Sequence, residues 1–134
     1  MLKTHHGSCH CGAVHFEADV DLAAGTGKCN CSICLQKRKW GVTMRPDQFR
    51  LTAGEDNLTD YQFNTGTQHH YFCKTCGVAP FGKGFVEEMG GDYFSVSVVS
   101  LDDVSDEELA AAPVAFFNGR DNQWWEQPKV TSYL

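Results

Sequence analysis

Seven cysteines in three tight clusters constrain this chain more than any other feature of it. The clusters are Cys9-His10-Cys11, Cys29-Asn30-Cys31-Ser32-Ile33-Cys34, and Cys73-Lys74-Thr75-Cys76 followed by Gly77. An odd number cannot pair completely into disulfides within one chain. In a reducing compartment, grouped cysteines read as metal ligands or reactive thiols. Buried free cysteine is a common core residue, which accounts for an isolated position but not for three clusters. Met1 to His6 runs directly into a polar cysteine motif, with no apolar stretch of the signal-peptide kind. The longest apolar run, Leu109 to Phe117, is broken by Pro113 and is too short to cross a bilayer. A cytoplasmic location is therefore expected.

Zinc takes four tetrahedral ligands, commonly thiolates at about 2.3 Å. A C-x-x-C turn suits it, because the chain reverses and both sulfurs face one ion. Gly77 after the second cysteine can adopt positive φ and aim amides at the sulfurs. A C-x-C pair on a flat strand needs a bend to converge, and Gly7 and Gly12 bracket the first pair where a bend is easiest. Seven ligands divide as four plus three. Cys9, Cys11, Cys73 and Cys76 would close a structural site across a long loop and contribute strongly to folding. Cys29, Cys31 and Cys34 offer three ligands and leave a position for water or substrate, the pattern of a catalytic zinc. Two zinc ions are expected, the second more labile. Spacing alone leaves open a histidine as fourth ligand of the second site, disulfide formation there on oxidation, and an iron–sulfur cluster, although ferredoxin spacings do not match.

The rest of the chain reads as short strands. Gly12 to Asp19 and Gln48 to Ala53 alternate apolar and polar residues. Leu58 to Phe63 and Thr67 to Phe72 flank Asn64-Thr65-Gly66 as a hairpin, and Asp92 to Ser100 is rich in aromatic and β-branched residues. One short helix is expected, capped by Ser105 with Glu108 reaching back, and ended by Pro113. Gly82-Lys83-Gly84 and Gly90-Gly91 read as turns. With 134 residues and no linker, residues 1–134 are expected to form a single zinc-binding domain. Lys plus Arg number 11 and Asp plus Glu 17, giving 11 − 17 = −6, which provides no footprint for nucleic acid or an anionic membrane. Nothing in the residues specifies an oligomer.

These motifs carry a resemblance. Gly7 to Phe16, Cys29 to Cys34, and Phe72-Cys73-Lys74-Thr75-Cys76-Gly77 resemble the glutathione-dependent formaldehyde-activating enzyme family, which includes centromere protein V. The resemblance spans roughly residues 3 to 125. It implies a mainly β, Mss4-like fold, a structural zinc on Cys9, Cys11, Cys73 and Cys76, and a labile zinc on Cys29, Cys31 and Cys34. It also implies a small thiol and an aldehyde as partners, joined as S-hydroxymethylglutathione, a carbon–sulfur lyase reaction written in reverse. Family members commonly have arginine after the last cysteine of the middle motif, where this chain has Leu35. His70 to Val78 and the tail with Phe117-Asn118-Gly119 and Trp124 resemble the centromere protein V branch.

An ion held by three thiolates is soft and a poor acid for water, so a substrate thiolate suits its fourth position. Lys37-Arg38-Lys39 could hold the carboxylates of an acidic peptide thiol, although a solvated charge run is the plainer reading. His69 or His70 could move a proton, but on a strand they face opposite sides, so at most one reaches the site. Trp40, Trp124 and Trp125 are more readily core than pocket. The reading that leads is an enzyme acting on a thiol–aldehyde adduct. A non-catalytic zinc-stabilised binding module and a redox sensor stand beside it.

Overall fold

A computed structural model describes residues 1–134. Ten strands build the molecule: β1 Lys3–Ser8, β2 His15–Val20, β3 Thr26–Cys29, β4 Trp40–Met44, β5 Phe49–Ala53, β6 Leu58–Tyr61, β7 His69–Cys73, β8 Phe81–Val86, β9 Gly91–Ser97 and β10 Val114–Phe117. They form a three-stranded sheet in the order β1-β2-β5 and a seven-stranded sheet in the order β10-β3-β4-β9-β8-β7-β6. All neighbours are antiparallel except β10 and β3. The fold is mainly β, as expected.

The core lies between the two sheets. Phe16 and Phe49 of the smaller sheet meet Phe81 and Phe94 of the larger, with centroids 4.7 Å apart for Phe49–Phe81 and 4.3 Å for Phe49–Phe94. Val14, Val20, Val96 and Val98 complete it. Only 24 of 134 residues are buried, so this core leaves room for bound metal to contribute to stability.

The anticipated helix is α2, Asp106–Ala111, with Ser105 and Glu108 capping each other as the motif predicts. A further six-residue helix, α1, spans Ser32–Lys37, inside the second cysteine cluster. The 58–72 hairpin and the 90–91 turn are present. Gly82-Lys83-Gly84 is not a turn but the middle of β8. These glycines serve close approach: a Cβ on Gly82 would lie 2.9 Å from the His69 carbonyl, and one on Gly84 would strike Tyr93 and Gln68. No helix is long and apolar enough to cross a membrane.

Candidate metal and thiol sites

The chain folds so that two distant turns meet. Cys9 and Cys11 lie in the bend after β1, where Gly12 takes φ 81° and donates its amide to the Cys9 carbonyl. Cys73 ends β7, and Gly77, at φ 77°, turns the chain back so that its amide reaches the Cys73 carbonyl at 2.9 Å. A side chain at Gly77 would meet nothing, so backbone conformation alone calls for glycine there. The four sulfurs of Cys9, Cys11, Cys73 and Cys76 lie within 4.8 Å of one another. The Cys9–Cys11 and Cys11–Cys73 separations are 3.7 and 3.6 Å. Thiolates at zinc–sulfur distances on a tetrahedron sit about 3.8 Å apart, so this donor set fits the ion.

The surroundings suit thiolates. The Val14 amide donates to Cys9 at 3.3 Å, and the Asn57 amide group donates to Cys73 at 3.2 Å. Backbone amides of Cys76 and Thr75 pull the Cys73 thiol down to about 6. Four thiolates so close repel one another strongly unless a cation sits among them.

The second cluster is local. Cys29 ends β3, Cys31 is the N-cap of α1, and Cys34 occupies its first turn. This placement brings all three sulfurs within 4.8 Å of one another, and no histidine or carboxylate joins them. The thiols of Cys29 and Cys34, aided by amides at the start of α1, hold Cys31 far below the ordinary thiol range. Cys29 and Cys31, together with burial, push Cys34 far up. Ionising one of three crowded sulfurs opposes ionising the others, and a bound cation would relieve that opposition. The set fits a soft ion with one position left open.

Asn30 and Asn118 brace this cluster, and sequence reasoning assigned them no role there. The Asn30 side chain is buried, donates to the Asn118 side chain at 3.0 Å, and accepts from the Arg120 amide at 2.9 Å. Gly119 then lies against the site, where a Cβ would be 2.7 Å from the Cys29 sulfur. An asparagine between two cysteines, together with a distant Asn-Gly, was the available signal.

The cluster borders the outer face of the seven-stranded sheet. Register places Gly41, Ser95, Ser97, Gly82, Gly84, Tyr93 and His70 on the face opposite the core residues Phe81 and Val96. Glycine and serine make a low floor. Lys39 lies over Gly41, where a Cβ would be 3.1 Å from its side-chain Cε. Lys37 and Lys39 are half-buried, so the basic run is not the solvated face that its composition suggested; only Arg38 is exposed. Burial pulls Lys39 down to about 8. A groove of about 370 Å³ runs from these lysines to Gly77–Ala79 beside the four-sulfur site.

The structure separates the two histidines. His69 is tied to Asp60 at 2.7 Å. His70 is on the outer face, and its Nε2 is buried without a hydrogen-bond partner. Burial lowers its pKa, and the nearby charges of Lys37 and Lys39 lower it further. Tyr93 donates to Gln68 at 2.6 Å on the same wall. Trp124 and Trp125 are exposed rather than core, while Trp40 is half-buried.

Two comparisons bear on these sites. A family model described as glutathione-dependent formaldehyde-activating enzyme matches residues 4–120. The crystal structure of a Rhodobacter sphaeroides protein is similar, with a TM-score of 0.69 and 33% sequence identity, covering 82% of this chain and 99% of that one.

Proposed function

Because the chain belongs to the glutathione-dependent formaldehyde-activating enzyme family, we propose that it is a cytoplasmic carbon–sulfur lyase that joins a small thiol to an aldehyde. Residues 1–134 would act as one zinc-binding domain. Cys9, Cys11, Cys73 and Cys76 hold a structural zinc, and Cys29, Cys31 and Cys34 hold a second. When bound there, the second ion supplies a soft open position that favours a sulfur ligand as thiolate.

The chain's own residues do the rest. Lys37 and Lys39, along the groove, attract the carboxylates of an acidic thiol such as glutathione. The free Nε2 of neutral His70 accepts the thiol proton. The sulfur lone pair then forms a bond to the aldehyde carbon, the carbonyl π electrons move to oxygen, and that oxygen takes the proton back from His70. Thiol and aldehyde become a hydroxymethyl thioether with every atom accounted for. Tyr93, held by Gln68, lines the same wall.

The observation that carries this reading is the incomplete sulfur set: three cysteines with no fourth protein ligand, at the start of a helix whose end at Lys37, Arg38 and Lys39 borders a groove. Calorimetry of zinc-loaded protein with glutathione, cysteine and a neutral thiol at two salt concentrations tests it. Binding of thiols with proton release is expected, with glutathione the most salt-sensitive. If no thiol binds to protein that carries both ions, the chain is a zinc-stabilised binding module instead.

A further inference from the structure

Beside Cys29 and Cys34 lies a notch with Lys28, Leu35, Arg38 and Lys39 on its walls, and Leu134 from the far end of the chain is seated in it. The space left there is about 30 Å³, room for about one water. Arg38 donates from its guanidinium to the Tyr133 carbonyl, and the Lys28 ammonium donates to the main-chain oxygen of Leu134 at 3.4 Å. The Leu134 amide closes a turn onto the Thr131 carbonyl at 3.0 Å, which presents both oxygens to the basic groups. The Tyr133 side chain is exposed, so this residue is held by its main chain, while half-buried Leu134 lines the notch. Buried Pro128 anchors the base of the segment.

Arg38 adds a second observation. It is the C-cap of α1 at φ 54°, ψ 42°, a left-handed position that favours glycine. The left-handed backbone is strained for an arginine, and its side chain is the one that holds the tail.

We propose that this notch is a binding site for a peptide main chain, occupied by the chain's own Tyr133 and Leu134, which a peptide thiol must displace to reach Cys29 and Cys34. The proposal rests on the reading above for the identity of that thiol, but not for the existence of the site. The grip suits displacement, because the hydrogen bond from exposed Arg38 is weak and screened by salt, and that from Lys28 is long at 3.4 Å.

Two variants test it: a chain ending at Val130, and the same shortened chain carrying Arg38→Gly, which suits the left-handed position and should keep the fold. The probe is S-methylglutathione, a peptide whose sulfur cannot ionise, titrated calorimetrically into zinc-loaded protein. The shortened chain should bind it about fivefold or more tightly than the parent chain, because the competing tail is gone, and adding Arg38→Gly should weaken that binding, because a donor to the main chain is lost. Acetyl-Thr-Ser-Tyr-Leu should bind the shortened chain in trans and compete with the probe. Unchanged or weaker probe affinity in the shortened chain, no further change on adding Arg38→Gly, or no binding of the acetyl peptide to the shortened chain, overturns the proposal. Peptide binding without any thiol binding would keep the notch and sink the proposed activity; thiol binding with no effect of the tail would do the reverse.

Discussion

At the level of single residues, Gly119 shows how little freedom the three-sulfur site has. An added Cβ would meet Cys29 at 2.7 Å and the Trp124 ring at 2.5 Å. The ring is half exposed and can swing away, but a sulfur tied to an ion cannot. We therefore expect Gly119→Ala to cost about 1–3 kcal/mol of packing and to speed zinc release from the second site, measured with a chromogenic chelator. A release rate equal to that of the parent chain would show that Cys29 is not a ligand. The cysteines themselves were legible, because their spacing is chemistry written in the chain. Gly119 and Asn30 were not, since their function arises only when residues 88 positions apart meet through Asn30 and Asn118. His70 was half legible: alternation allowed at most one histidine of the pair to reach the site, and only register placed His70 on the outer face.

Among elements, β1 explains why reading strands by apolar alternation falls short. Its inward positions are His5 and Gly7. His5 is 2% exposed and bonded to Asp103 at 2.9 Å, while Gly7 lies beneath the ring of Phe16, its cross-strand partner. A polar residue satisfied by a distant carboxylate and a glycine covered by a phenylalanine leave no periodic apolar signal. Gly27 repeats the device beneath Phe117, ahead of the second cysteine cluster. Helix α1 was illegible for another reason: its first turn is spent on cysteines rather than on a polar cap. Asp103 also gives β1 a pH signature. Burial opposes its charge, but the His6 amide and His5 outweigh that and hold its carboxyl below the ordinary range. A depressed carboxyl stabilises above the unfolded value of about 3.9 and loses that contribution as pH falls through its folded value. Asp103→Asn should therefore lower stability at pH 7 by about 1 kcal/mol, and the gap should close at pH 3. Urea midpoints at the two pH values measure it, and an equal gap at both would contradict the assignment.

For the molecule as a whole, the two sulfur sites should differ in what they support. The four-sulfur site ties the bend after β1, in the smaller sheet, to the end of β7 in the larger, beside a thin core. The three-sulfur site ties only β3 to the helix that directly follows it. Cys76→Ser should cost several kcal/mol and leave the chain unfolded or insoluble. Cys34→Ser should melt close to the parent chain yet lose thiol binding. If Cys76→Ser keeps the parent melting temperature, the larger site does not hold the sheets together. The mainly β class and the four-plus-three grouping could be read in advance, because each follows from local patterns. The groove could not, because its walls come from the end of α1, the turn at Gly77–Ala79 and the segment from Ser97 to Ser100, which only the folded chain brings together.

The span of the four-sulfur site has a consequence during synthesis. Cys11 and Cys73 are 62 positions apart, so a ribosome releases five of the seven sulfurs before either Cys73 or Cys76 exists. A tetrahedral ion needs only four. An ion that arrives early meets Cys9, Cys11, Cys29, Cys31 and Cys34 as one flexible ligand pool, which the finished protein divides between two addresses. Correct loading is therefore a matter of timing as well as affinity, and the late emergence of β7 decides which sulfurs the first cluster keeps.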